Sequence, residues 1–391
     1  MAEEKDIHGK EAKSTFLDMN ASWPLMFVYL GYIIGMFYTQ SATFGYLPSG
    51  YNTYVYTFMA LIFGVLITFL VYNAGKILFA SIAGYRVFAV KILGFSIDKS
   101  AAGKSKVSFS ITAIFDVSLQ FAPKNDDVKK NPRLIFIGGY LFELLLIGVA
   151  LALFFVLAFP ESGTMKSVIG WSALFALIYG LIIPIYEIIP FRQDYPTDMY
   201  NLMVTKEKED QEAYNLVHIN RRRELSGEDF LAPSFQDYDS YYKAQTLYAL
   251  YLTDLYQDDL AGALDVLDLM KYYRKKLPEE DRYLAVAESV YLRYLADDEN
   301  GANQLFVKLG KEEKKSIVSP TLLSNYRTSL LILGYITEDR ESLKEEIRNY
   351  QKATQDIKEP SARVKKEEAL FLQAYDKLRT GKPELGLQEL N

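Results

Sequence analysis

Residues 67–87 read Ile67-Thr-Phe-Leu-Val-Tyr72-Asn73-Ala74-Gly75-Lys76-Ile-Leu-Phe-Ala-Ser-Ile-Ala-Gly84-Tyr85-Arg86-Val87. An apolar helix with one lysine runs straight into a glycine turn and then a strand, and this junction decides the fold. Extended backwards, the helix occupies residues 54–83, longer than the roughly 20 apolar residues needed to cross a bilayer. Three further runs, 23–39, 134–159 and 168–191, have the same character, the first being short and broken by two glycines. Its Trp23 and Tyr38 stand where interfacial aromatics belong. The tail before it mixes Glu3, Glu4, Asp6 and Glu11 with lysines and no small-residue cleavage site follows, so it reads as a span and not as a signal peptide.

Between the second and third spans the loop carries Arg86, Lys91, Lys99, Lys104, Lys106, Lys124, Lys129, Lys130 and Arg133, whereas residues 40–52 carry no charge. The positive-inside rule therefore puts the basic loop and both termini in the cytoplasm. Cysteines introduced at Ser49 and Ser105 of this cysteine-free chain should label from opposite sides of the membrane. Labelling of Ser105→Cys, but not Ser49→Cys, by an impermeant reagent on intact cells would invert the topology. Within 86–122, Arg86-Val-Phe-Ala-Val-Lys-Ile, Val107-Ser-Phe-Ser-Ile-Thr-Ala and Val117-Ser-Leu-Gln-Phe read as strands, the last two by their period of two, and predict a small sheet at the membrane surface.

This order of segments resembles the site-2 protease family of intramembrane zinc metalloproteases. In that family the helix carries His-Glu-x-Gly-His; the matching stretch here is Tyr72-Asn73-Ala74-Gly75-Lys76. Gly138-Gly139-Tyr140-Leu-Phe-Glu143 is similar to the family's Ala-Gly-Pro-x-x-Asn segment, and Glu187-Ile-Ile-Pro190 followed by Asp198-Met199 is similar to its Asn-x-x-Pro and Asp-Gly elements. The resemblance places Tyr72 and Lys76 at the two zinc-binding histidines, Asn73 at the glutamate base and Asp198 at the third ligand. It implies a degenerate protease site of Tyr72, Asn73, Lys76, Glu143, Glu187 and Asp198, with no metal and no cofactor.

A catalytic zinc needs three protein donors from His, Cys or carboxylate plus an open water position. The helix offers a phenol, an amide and an ammonium, and Asn73 cannot take a proton from water. There are no cysteines, and the two histidines, His8 and His218, lie outside the spans. Lys76 is expected to pair with Glu143, Glu187 or Asp198 as a positive centre in place of the metal; the alternative is that it snorkels to the cytoplasmic surface. A Ser-Lys mechanism through Ser81 is poorly placed, five residues on.

Beyond residue 205 the composition becomes charged. Residues 205–237 read as a linker with some helix, and 238–391 as helices divided by short polar breaks. Tyr251-Leu-Thr-Asp-Leu-Tyr-Gln-Asp-Asp and Tyr291-Leu-Arg-Tyr-Leu-Ala-Asp-Asp match at a forty-residue offset, with an echo at Tyr335-Ile-Thr-Glu-Asp. The segments resemble degenerate tetratricopeptide repeats, which implies a cytoplasmic α-solenoid with a protein-binding concave face. The net charge of −6 and the lack of a basic face exclude nucleic acid as a partner.

The fold class expected is mainly α: a four-span membrane core with a small membrane-associated β-sheet at 23–204, after a tail at 1–22, followed by the solenoid. The expected role is a non-catalytic scaffold in a bacterial cell membrane, whose core holds a transmembrane-helix client or membrane-protein partner and whose repeats dock a cytoplasmic protein. Two alternatives are an active intramembrane metallopeptidase with atypical residues, and an accessory subunit of a membrane transporter or peptide-export system.

Overall fold

The computed structural model describes residues 30–31, 34–35, 53–92, 95–99, 105–109, 118–158, 164–192, 196–225, 228–311, 314, 317, 323–355 and 362–387. The run read as a first span, 23–39, lies almost wholly outside them. By internal contacts the chain divides into two compact units, one built mostly of residues up to Asn215 and the other of residues from Leu216 onward.

The first unit is built on α1 (Thr53–Ile82), α2 (Arg133–Leu157) and α3 (Thr164–Gly180), which pack on one another, with α3 continuing almost directly into α4 (Ile182–Ile188). Among the described residues, the stretches Ile62–Ile82, Arg133–Leu157 and Ile169–Ile188 are long and apolar enough to cross a membrane. Their outer faces expose Leu66, Leu70, Leu144, Leu145, Phe155 and Val156, as lipid-facing surfaces do. Inside, small residues let the backbones meet. A Cβ at Gly75 would collide with the Gly138 carbonyl, and one at Gly64 with Ala176, the close packing by which membrane helices associate without a hydrophobic driving force.

Gly84, at φ +80°, turns α1 into the sheet, a left-handed conformation that costs glycine little. Strands β1 (Tyr85–Ile92), β2 (Phe95–Lys99), β3 (Ser105–Phe109) and β4 (Ser118–Pro123) lie in the order β3-β2-β1-β4. β1 pairs antiparallel with β2, Val90 opposite Ile97, and with β4, Val90 opposite Leu119. The three predicted strands are present, and β2 is a fourth. The part of the 117–121 pattern at Val117 and the residues after Phe109 in 107–113 fall outside the described residues.

α5 (Asp198–Val204) and α6 (Lys208–Leu225) follow. Within 205–237, read as a linker with some helix, α6 is a helix of 18 residues. Asn215 on α6 accepts from the Tyr85 hydroxyl at 2.8 Å and donates to the carbonyls of Val128 and Lys130 at 2.8 and 2.6 Å, tying α6 to the loop that enters α2.

The second unit contains helix hairpins. α7 (Tyr241–Tyr256) packs on α8 (Leu260–Tyr272), α9 (Glu279–Leu295) on α10 (Glu299–Val307), and α11 (Tyr326–Ile332), extended by a π-helical turn at Leu333–Thr337, on α12 (Arg340–Gln355). The three turns are built alike. Asp258, Asp297 and Glu338 adopt positive φ of 61°, 62° and 51°, and the next residue, Asp259, Asp298 or Asp339, accepts a backbone N–H of the following helix. At two of the turns the left-handed residue is an aspartate, whose short side chain tolerates that region, and at all three an N-cap aspartate follows, which is why these breaks recur in the sequence.

The last helix, α13 (Ala362–Gly381), presents Val364, Glu367, Phe371, Ala374, Tyr375 and Leu378 as a buried stripe at helical spacing. Glu367 joins a buried network. Arg327 contacts Glu288 at 2.9 Å and Glu367 at 3.5 Å, and its guanidinium lies 4.4 Å from the Tyr291 ring centroid. Tyr251 donates to Glu288 at 2.7 Å and Tyr256 to Glu367 at 2.5 Å. Burial opposes the Arg327 charge, but Glu288 and Glu367 more than offset it and hold the guanidinium well above its ordinary pKa.

Candidate functional site

The site is assembled where α1, α2, α4 and α5 converge. On α1, Tyr72 and Lys76 are one turn apart and therefore share a face. The Tyr72 ring lies against Gly139 of α2, where a Cβ would come within 2.6 Å of ring carbon Cζ, so Gly139 makes the space that the phenol fills. Tyr140 meets the same ring edge-on at 5.6 Å between centroids and donates its hydroxyl to the Glu187 carbonyl at 2.7 Å.

The turn from α4 into α5 aims the acid. Thr197, the N-cap of α5, donates its hydroxyl to the Ile189 carbonyl at 2.7 Å and accepts from the backbone N–H groups of Phe191 at 3.2 Å and Tyr200 at 3.4 Å. These bonds hold Thr197 against Ile189 and Phe191 and set Asp198 as the first residue of α5. The backbone N–H of Asp198 then donates to the Glu187 carboxylate at 2.7 Å.

With the turn so fixed, the two oxygens of Asp198 receive one donor each from α1. Lys76 Nζ lies 2.8 Å from Oδ1 and the Tyr72 hydroxyl 2.8 Å from Oδ2. Asp198 is 2% exposed and the Lys76 side chain 12%, so the ion pair is shielded and the lysine points inward. The ammonium also stands 5.8 Å from the Tyr72 ring centroid, within the range of a cation–π contact.

Four of the six residues singled out by sequence are therefore brought together: Tyr72, Lys76, Glu187 and Asp198. The other two are not. Asn73 turns back along its own helix and donates to the Phe69 carbonyl at 2.9 Å. Glu143 is buried on α2, and neither of its carboxylate oxygens has a hydrogen-bond partner among the described residues. Of the three acids offered to Lys76, it takes Asp198. Tyr140 and Thr197 belong to the site as well, and sequence reasoning did not assign them; the signal for Thr197 was its position as a capping residue directly before the acid.

The sequence matches no protein-family model and no curated protein, and the fold matches no solved structure. The fit of a zinc ion is thus judged on the residues themselves. Both oxygens of Asp198 are occupied by donors, the side chains facing it are a phenol and an ammonium, and the ammonium would repel a divalent cation. Among the described residues, no three His, Asp or Glu side chains are grouped to hold a metal. His218 packs beside Tyr242 at 6.1 Å between ring centroids, in the helical unit, and His8 is outside the described residues. This donor set does not fit zinc.

Proposed function

We propose that the protein is a non-catalytic relative of the site-2 proteases, a membrane scaffold whose core has exchanged a metal centre for an ion pair. The carrying observation is the pair of direct bonds from Tyr72 and Lys76 to Asp198. In a zinc protease of this architecture the two helix positions and the aspartate would hold one cation between them. Here the lysine brings the positive charge covalently and the tyrosine donates the second bond, so the helices keep their mutual register with no ion to bind or lose. Chemistry is left without a water-activating centre, because Asn73 accepts no proton and faces its own helix.

The reading extends to four spans with both termini in the cytoplasm, and to a tetratricopeptide-like α-solenoid formed by the hairpins from Tyr241 onward. It assigns the membrane core to a transmembrane-helix client or a membrane-protein partner, and the hairpins to a cytoplasmic protein. The repeated turns at Asp258, Asp297 and Glu338 support the solenoid reading. Crosslinking pull-downs from the native membrane test the division of labour. A chain ended before Tyr238 should still insert and keep its membrane partner while losing the cytoplasmic one. Retention of every partner by the shortened chain would remove the hairpins from the docking role.

A further inference from the structure

α13 touches all three hairpins of the second unit. Lys366 pairs with Asp258 at 2.7 Å, Lys377 with Asp297 at 2.5 Å and Lys382, just beyond the helix, with Glu338 at 2.5 Å. Each lysine therefore meets the left-handed acidic residue of one turn, at the negative end of that hairpin's first helix. Lys366 and Lys377 are separated by about 16 Å of helix, so α13 runs along the row of turns from the first hairpin toward the third. Beneath the lysines its apolar stripe settles on α11 and α12, with Phe371 stacked on Tyr350 and Leu378 filling the space left by Gly334. Glu367 reaches the Arg327 network, which draws in Tyr251 and Tyr256 of α7 and Glu288 of α9.

This contact has the composition of a recognition interface: an acidic rim, one deeply buried ion pair and a narrow apolar stripe. α11 also changes to a π-helical turn at the contact, where Tyr335 donates to the Lys377 carbonyl at 3.2 Å, and such turns often accompany functional sites. We propose that the face formed by α7, α9, α11 and α12 is a docking groove for a basic amphipathic helix of a partner protein, and that α13 is its resident occupant, exchangeable for the partner's helix. The partner helix would carry basic residues eleven positions apart, a glutamate beside the first and an apolar stripe between them, as α13 does. The proposal rests on reading the hairpins as a protein-docking domain.

The probe is a labelled synthetic peptide of residues 362–387, added to the detergent-solubilised chain ended at Gln355 and to the full-length chain. The shortened chain should bind it, and the full-length chain should bind it at least about tenfold more weakly, because the resident helix competes. A peptide with Lys366, Lys377 and Lys382 changed to Glu should bind the shortened chain about tenfold or more weakly than the parent peptide. A shortened chain that keeps its cooperative helical melt yet binds no peptide would overturn the proposal, as would equal binding of both peptides. If the shortened chain unfolds, a protease site placed within residues 356–361 of the full chain gives the same test. After cleavage, excess peptide should release the C-terminal fragment, and its retention would overturn exchange. Failure of the docking reading would instead appear as a pull-down without a cytoplasmic partner while the peptide still binds.

Discussion

Replacing Lys76 with Met should lower the unfolding temperature of the detergent-solubilised protein by roughly 10 °C, the scale expected when one partner of a buried ion pair is removed at a cost of about 3–5 kcal/mol. The loss comes mostly from Asp198, which at 2% exposure would lose its ion-pair partner and retain the Tyr72 hydroxyl as a side-chain donor. Asp198→Asn should be comparably costly, because it leaves the ammonium inside the bundle. The double variant Lys76→Met with Asp198→Asn should recover a large share of the loss, since it removes both charges together, and that non-additivity is the signature of a direct pair. A lysine that reaches the interface instead would give a single variant that melts like the parent.

A second large effect is expected in the helical unit. Arg327→Leu strands the carboxylates of Glu288 and Glu367, each at most 1% exposed, beside one another with no cation between them. The expected cost is again about 3–5 kcal/mol, read as a fall in the melting temperature of that unit. Its pH dependence distinguishes it from a packing defect. Burial already holds the Glu288 carboxyl above its ordinary value against the pull of Arg327, and loss of that pull raises it further. A carboxyl raised in the folded state contributes stability below its unfolded pKa, and that stability is lost as pH rises through the folded value. The variant should therefore regain stability relative to the parent on acidification toward pH about 4. A deficit independent of pH would mean that the missing volume, and not the unpaired acids, is responsible.

The junction of α1, Gly84 and β1 was legible because each piece has a strong local cause: an apolar run of membrane length, a turn glycine, and alternation in the strand. β2 was missed although Phe95-Ser-Ile-Asp-Lys alternates, because it is only five residues long and follows β1 after a two-residue break. A meeting of Lys76 with an acid was legible from charge, beside the alternative that it snorkels to the surface. Which acid it meets was not. Glu187 and Asp198 lie on the same stretch, and the choice is made by the Thr197 turn, a three-dimensional device that leaves Glu187 to accept from the Asp198 backbone. Asn73 and Glu143 were grouped with the site through motif positions, but motif position does not say which way a side chain turns. In the helical unit the repeated Tyr-and-Asp-Asp pattern found the hairpin turns. Arg327 and Glu367 were not legible, because their partners are distant in sequence and nothing local marks them as buried.

The most direct test of the proposal that an ion pair stands in place of a metal centre is metal analysis of protein purified from membranes without chelator and supplied with zinc, alongside Asp198→Ala. The ion-pair account predicts far less than one zinc per chain in both proteins and no cleavage of a transmembrane-helix substrate by either. About one zinc per chain in the parent, lost in Asp198→Ala, would contradict it.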